Sequence, residues 1–138
     1  MAESVLEHHE MQIQNEDDIV LVRRKARDIA QACGFDIFAV SAVTTAASEL
    51  ARNVWVHAGQ GIAFVERLAD GARSGVRVVF KDEGPGIPDV ERVLSGGYST
   101  AKSMGLGLSG SRRLVDEFSI ESTVGQGTTV TFVKWTPY

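Results

Sequence analysis

One stretch near the middle of the chain constrains its fold more than any other, because a β-branched run ends there in an acidic, glycine-rich turn. The run Gly75–Phe80 has the pattern of a strand and leads into Asp82-Glu-Gly84-Pro-Gly86-Ile-Pro88. Glycine permits positive φ or close approach to a ligand, and proline stiffens a turn. An aspartate held at such a strand end can accept a hydrogen bond from a ligand. Taken alone, the segment fits a tight surface turn equally well.

Composition excludes several classes of protein. A chain of 138 residues with 43% hydrophobic and 23% charged residues fits one domain, residues 1–138, with one core. A net charge of −4 gives no basic footprint for nucleic acid. The lone Cys33 cannot form an internal disulfide, and neither an apolar leader nor a run long enough to span a membrane is present. We therefore expect a cytoplasmic protein that binds neither nucleic acid nor membrane.

Two helices are predicted in the first half of the chain. The first begins in the acidic segment Asn15–Asp18 and ends at Gly34. The second begins after Asp36 as N-cap, continues to about Val56 and ends at Ala58-Gly59. The first helix carries a basic face that is either solvated or a docking surface for an acidic partner, formed by Arg23, Arg24, Lys25 and Arg27.

The remaining segments predict mainly strands. Residues 1–14 can pair as an edge strand, on which the adjacent histidines His8 and His9 point in opposite directions and are expected to be solvated. An Asp70-Gly71 loop predicts an antiparallel hairpin between Gly61–Leu68 and Gly75–Phe80. A short helix over 89–94 and two further strands, 119–123 and 128–135 around a glycine turn, complete the chain.

One stripe of the second helix carries polar residues with a chemical use. Thr45, Glu49 and Asn53 follow one another at i, i+4 and i+8, so a carboxylate and a carboxamide project side by side. Asparagine in a helix interior is mildly unfavourable, since its side chain competes for backbone hydrogen bonds. Both side chains offer oxygen, and Mg²⁺ prefers sparse oxygen ligands completed by phosphate and water. The stripe therefore indicates a magnesium site.

A second glycine-rich segment follows a small, polar loop at 95–104, which we interpret as a lid. The spacing of Gly105, Gly107 and Gly110 matches the dinucleotide fingerprint, but a polar loop precedes it and only 28 residues follow. A protein-kinase glycine loop is excluded as well, because no lysine strand of the required kind follows. Backbone N–H groups at a helix N-terminus still form an anion site, and Lys102 in the lid is either a phosphate contact or solvated.

Four elements in this order resemble the N, G1, G2 and G3 boxes of the GHKL ATPase superfamily. They are the stripe with Glu49 and Asn53, the turn Asp82–Gly86, the helix start Gly105–Gly107, and Gly125-x-Gly127-Thr128. Within the superfamily the chain is most similar to anti-sigma-factor serine/threonine kinases, and in particular to the RsbT-type switch kinases of bacterial stressosomes. The resemblance implies an α+β fold, a two-layer α/β sandwich with a mixed, mainly antiparallel sheet and helices on one face.

The resemblance also implies roles for individual residues in binding ATP and Mg²⁺. Asn53 would bind Mg²⁺, Asp82 the adenine amino group, and Thr128 would lie near adenine. The other implied contacts are Gly84 and Gly86 beneath the base, and Gly105, Leu106 and Gly107 at the phosphates. Since Glu49 lies one turn before the metal ligand, it is placed to act as the base that orients the acceptor hydroxyl.

Three functions remain compatible with the sequence. The first is a kinase that phosphorylates a serine or threonine of a STAS-domain protein, either an anti-sigma-factor antagonist or a stressosome scaffold, with a phosphatase or sigma factor as a further partner. The second is a nucleotide-dependent module that sequesters such a partner without efficient catalysis. The third is the catalytic part of a histidine kinase, which we do not favour because no dimerisation helix with a phosphoacceptor histidine is present. The pairing of Glu49 with Asn53 favours the first.

Overall fold

The computed structural model describes residues 3–94 and 102–137, and for residues 92–93 and 102–107 it describes the backbone alone. The lid predicted over 95–104 therefore lies outside the described residues up to residue 101, and for residues 102–104 the loop prediction was wrong, because the last helix already begins at Lys102. The elements in chain order are β1 Ser4–Ile13, α1 Asp17–Ala32, α2 Ile37–Ala58, β2 Gly61–Asp70, β3 Arg73–Asp82, α3 Val90–Leu94, α4 Lys102–Leu114, β4 Glu117–Thr123 and β5 Gly127–Trp135.

The strands form one five-stranded sheet in the order β1-β2-β3-β5-β4. Every adjacent pair of strands in the described ranges is antiparallel. The predicted hairpin is present, with β2 and β3 paired from Ile62–Lys81 to Asp70–Arg73. Helices α1 and α2 pack against each other and against the central strands. This architecture confirms the α+β fold class.

The ends of α2 follow from the local capping chemistry read in the sequence. The Oδ1 atom of Asp36 accepts a hydrogen bond from the Ala39 N–H at 2.8 Å. At the other end Gly59 takes φ 83°, and its N–H donates to the carbonyls of Val54 and Trp55. Among the helices of the described ranges, none combines the length and the apolar character that crossing a bilayer requires.

The main core lies between the helices and the sheet. Its largest fully buried side chains include Leu50 of α2, Phe80 of β3 and Phe132 of β5. A smaller apolar cluster consists of Leu68, Val133 and Trp135. The indole of Trp135 lies over Gly75, where a Cβ atom would stand 2.6 Å from the indole Cε3. Gly75 therefore makes room for the tryptophan in its neighbouring strand.

Side-chain pairs hold the edge strand β1 to the sheet. The Nδ1 atom of His8 lies 2.6 Å from the Glu66 Oε2 of β2, and Arg67 of β2 pairs with Glu7. The Nε2 of His9 lies 3.1 Å from the Glu7 Oε1 within β1 itself. Glu66 also accepts from the Arg77 Nε at 2.7 Å, although it is only 8% exposed. Both histidines remain in contact with solvent, as predicted, with side chains 50% and 34% exposed, and each also meets a carboxylate that the strand pattern could not locate.

Candidate functional site

A cleft opens between α2, the ends of β3 and β5, and the turn that follows β3. One wall is formed by α2, and Leu108 of α4 closes another side at 2% exposure. The lining residues are Leu50, Asn53, Val54, His57, Ala58, Phe80, Asp82, Pro85, Gly86, Ile87, Leu108, Thr128 and Val130. Four of the residues predicted from the sequence thus meet in one place: Asn53, Asp82, Gly86 and Thr128.

Asp82 is held at the cleft by the strand end and by the turn after it. It is the last residue of β3 and pairs in register with Thr128 of β5. Its Oδ1 atom accepts the Gly84 N–H at 2.9 Å, which fixes the plane of the carboxylate. Its Oδ2 atom has no hydrogen-bond donor within residues 3–94 and 102–137, so it can accept from a ligand.

Two glycine turns pack against each other below the cleft. Gly86 has φ 78°, and a Cβ atom there would lie 2.5 Å from the Thr123 carbonyl oxygen. The Gly125 N–H donates to the Pro85 carbonyl at 2.9 Å. Gly127 has φ 128°, and a Cβ atom there would collide with the Asp82 carbonyl oxygen. The glycines are therefore required by backbone contacts between the two turns, in addition to any approach of a ligand.

Ser122 of β4 is a site residue that the sequence reasoning missed. Its Oγ atom accepts the Ile87 N–H at 2.7 Å and lies 2.9 Å from the Thr128 Oγ1. The same hydroxyl lies 3.2 Å from the Gly127 carbonyl oxygen. It thus connects the turn after β3 to the start of β5 and orients Thr128. A strand-like alternation places Ser122 on a sheet face, but only the β4–β5 register shows what it meets.

Two polar atoms on α2 are buried at the cleft without a partner in the described part of the chain. They are the Nδ2 of Asn53 and the Nε2 of His57. Burial lowers the pKa of His57, and the nearby Asp82 carboxylate only partly opposes this shift. The imidazole is therefore neutral at pH 7. Since buried polar groups are normally hydrogen-bonded, both atoms are consistent with a polar ligand in the cleft.

Glu49 lies on α2 one turn before Asn53, as predicted, and is partly buried. It does not line the cleft itself, so its carboxylate stands beside the cleft and not inside it. No hydrogen bond or ion pair occupies this carboxylate within the described ranges. The position leaves it free to meet a group that approaches from outside.

The predicted phosphate-binding glycines lie in the first turns of α4. The helix begins at Lys102, so Gly105, Leu106 and Gly107 are helical and immediately precede the cleft residue Leu108. The side chains of residues 102–107 lie outside the described part of the structure, and the role of Lys102 therefore remains a prediction. Gly84 does not line the cleft, but its N–H holds Asp82, as described above.

Comparisons with known proteins agree with this arrangement. A family model described as "Histidine kinase-like ATPase domain" matches residues 14–134. The chain is also 42% identical over 125 residues to the "Serine/threonine-protein kinase RsbT" of Bacillus subtilis (strain 168). This alignment covers 91% of the present chain and 94% of that protein.

Proposed function

The chain belongs to the family of histidine kinase-like ATPase domains, and on that premise we propose that it is a serine/threonine-protein kinase of a bacterial partner-switching pathway. Its reaction is transfer of the γ-phosphate of Mg·ATP to a serine or threonine of a STAS-domain protein. The observation that carries the proposal is the convergence of Asn53, Asp82, Gly86 and Thr128 on one cleft. The similarity to a serine/threonine-protein kinase along most of both chains supports it.

The adenine of ATP fits the inner part of the cleft. Phe80, Ile87 and Val130 give it an apolar lining that suits an aromatic base. The free Oδ2 of Asp82 would accept a hydrogen bond from the adenine amino group, with Thr128 beside it. Gly86 keeps the backbone of this turn close to the base, and Gly84 acts through its hydrogen bond to Asp82.

Asn53 fits the role of the protein's magnesium ligand. Asn53 lines the cleft, and its Oδ1 accepts no hydrogen bond within the described ranges, so this oxygen can serve as a ligand. Mg²⁺, when bound, neutralises charge on the phosphates. The first four N–H groups of α4, from Lys102 to Gly105, have no partner within the helix and would bind the same phosphates.

Glu49 is assigned the role of the base in the transfer step. The acceptor hydroxyl oxygen forms a bond to the γ-phosphorus, while the bond from that phosphorus to the β–γ bridging oxygen breaks and ADP leaves. Glu49 orients the hydroxyl and accepts its proton. A carboxylate beside the cleft suits this role, since the acceptor arrives on a second protein.

A second candidate is a nucleotide-dependent module that sequesters a STAS partner or a sigma factor with little catalysis. The unoccupied carboxylate of Glu49, one turn from Asn53, favours the kinase. A phosphatase is a further candidate partner for the kinase once it is released from its substrate. We place the reaction in the cytoplasm, where ATP is available.

The test is the substitution Glu49→Gln. Because glutamine cannot accept the proton, we expect ATP affinity in calorimetry to be unchanged and phosphoryl transfer to fall by about 100-fold or more. Transfer is measured as acid-stable label from Mg·ATP on serine or threonine of purified STAS-domain proteins. The exposed Glu121→Gln serves as a control for the loss of one carboxylate.

Undiminished transfer by Glu49→Gln would remove Glu49 from the mechanism. A wild-type protein that forms tight complexes with STAS-domain proteins but leaves no label would instead establish the sequestering module. The wild-type protein separates these two outcomes, because a kinase leaves label on its partner and a sequestering module leaves none.

A further inference from the structure

Helix α1 carries a group of cations that bind no acidic group in the described part of the chain. Arg23, Arg24 and Arg27 are exposed and Lys25 is partly buried. None of the four has a hydrogen bond or ion pair within residues 3–94 and 102–137. The arginines of the sheet differ, since each contacts a carboxylate: Arg67 with Glu7, Arg73 with Asp70, and Arg77 with Glu3 and Glu66.

Three of these cations share one stripe with an exposed apolar side chain. Val20, Arg23, Arg24 and Arg27 follow one another at i, i+3, i+4 and i+7, which places them on neighbouring turns of one helix face. The opposite face buries Val22, Ala26 and Ile29 against the core. Val20 is 39% exposed and its neighbour Leu21 is 47% exposed. The stripe is thus basic and partly apolar.

Helix α2 also exposes an arginine and a valine, close to the proposed base. Only four residues join α1 to α2 and the two helices pack against each other, as in a helical hairpin, so we expect the N-terminal half of α1 beside the C-terminal half of α2. That half of α2 carries Arg52, which is exposed and unpaired within the described ranges, and Val56, which is 56% exposed. Arg52 lies between Glu49 and Asn53 in the sequence. A protein that delivers a hydroxyl to Glu49 must therefore cover this part of α2.

We propose that this surface docks an acidic face of the protein substrate. The arginine surface comprises Val20, Arg23, Arg24, Arg27, Arg52 and Val56. The proposal rests on the proposed function and adds the surface through which the substrate is recognised. The guanidinium groups bind carboxylates of the partner, and the exposed valines contact apolar side chains between those carboxylates. Docking here brings the acceptor hydroxyl of the partner to Glu49.

The chemistry of the surface favours a protein over other polyanions. Arginine forks match carboxylate geometry, and protein interfaces combine arginine with apolar side chains. A phosphate backbone offers no apolar partner to the exposed side chains of Val20, Leu21 and Val56. A net charge of −4 also opposes binding to nucleic acid or to an anionic bilayer.

The test compares two double charge reversals with the same net charge. Arg23→Glu/Arg24→Glu alters the arginine surface. The control, Arg112→Glu/Arg113→Glu, alters two consecutive exposed arginines near the end of α4. Both lower the net charge by four units. Affinity for ATP and for each purified STAS-domain protein is measured by calorimetry, at low and high salt, together with acid-stable phosphoryl transfer.

We expect both variants to bind ATP as the wild type does. Arg23→Glu/Arg24→Glu should bind the STAS substrate at least about tenfold more weakly, with a reduced salt dependence, and the α4 variant should bind it normally. Replacing single acidic residues of the substrate by arginine should restore binding to the α1 variant, which a merely structural defect would not allow.

Equal losses in both variants, or none in either, would overturn the docking proposal while leaving the kinase function intact. Wild-type binding to duplex DNA or to phosphatidylserine vesicles that only the α1 reversal abolishes, with binding to the STAS protein unchanged, would overturn it in favour of another polyanion. Absence of label on every STAS-domain protein with the wild type would instead contradict the proposed function itself.

Discussion

Asp82 illustrates how a single residue acquires its role from its hydrogen bonds. Asp82 lines the cleft, where one carboxylate oxygen accepts the Gly84 N–H at 2.9 Å and the other has no hydrogen-bond donor within the described residues. An asparagine at this position would keep its oxygen on Gly84 and turn its NH₂ group towards the cleft. The adenine amino group would then meet a donor in place of an acceptor.

The substitution Asp82→Asn should therefore weaken ATP binding by about ten- to a hundredfold, the range expected for loss of a hydrogen bond to a charged group. Calorimetry with ATP measures the effect. Glu83→Gln removes the same charge from the exposed neighbouring residue and should bind ATP normally. Unchanged affinity of Asp82→Asn would contradict the assignment of adenine to this carboxylate.

At the scale of elements, the site depends on two turns that are far apart in the chain. The turn after β3 and the turn between β4 and β5 share the Gly125–Pro85 hydrogen bond, and Ser122 connects them. Their glycines fall into two kinds. Gly125 has φ 81° and open space around its Cα, whereas Gly127 has φ 128° and lies against the Asp82 backbone.

This difference predicts unequal effects of alanine in the two turns. Gly125→Ala meets only the backbone strain of positive φ and should cost about 1 kcal/mol of unfolding free energy. Gly127→Ala adds a collision with the Asp82 carbonyl, and we expect a cost of about 3 kcal/mol or more and weaker ATP binding. Urea unfolding compares the two variants, and equal stabilities would contradict the packing of the turns.

At the scale of the whole molecule, a charged network ties the first strand to the centre of the sheet. Glu66 of β2 accepts a hydrogen bond from the Arg77 Nε of β3, and its Oε2 lies 2.6 Å from the Nδ1 of His8 of β1. Burial raises the pKa of Glu66, but the hydrogen bonds with His8 and Arg77 outweigh burial and hold it below 4.5. The ionised carboxylate therefore stabilises the folded protein.

Because the folded-state pKa is depressed, this contribution is present above about pH 4.5 and is lost as the pH falls through the folded-state value. Glu66→Gln should lower the unfolding free energy by about 1–3 kcal/mol at neutral pH. The difference from wild type should narrow in acid. Urea unfolding from about pH 7 down to about pH 3 measures this trend. A difference that is constant with pH would contradict an ionised Glu66.

The sequence by itself determined most of the elements and indicated the residues that we propose to bind ATP. Capping by Asp36 and Gly59 ended α2 where predicted, and the Asp70-Gly71 loop specified the β2–β3 hairpin. These features depend on residues within one or two turns of each other, so short-range pattern and propensity suffice to find them. The resemblance of four motifs in order then indicated Asn53, Asp82, Gly86 and Thr128, which the fold brings to one cleft.

Only the tertiary structure decided which distant groups meet. The contacts of Ser122 with Ile87 and of His8 with Glu66 join residues 35 and 58 positions apart. That the Asn53 Nδ2 and the His57 Nε2 are buried without a partner among the described residues likewise follows only from the packing of α2 beside β3. Sequence pattern gives the face on which a side chain lies, but strand register and helix packing fix its partners. For that reason only the folded chain shows that the arginines of α1 have no partner among the described residues.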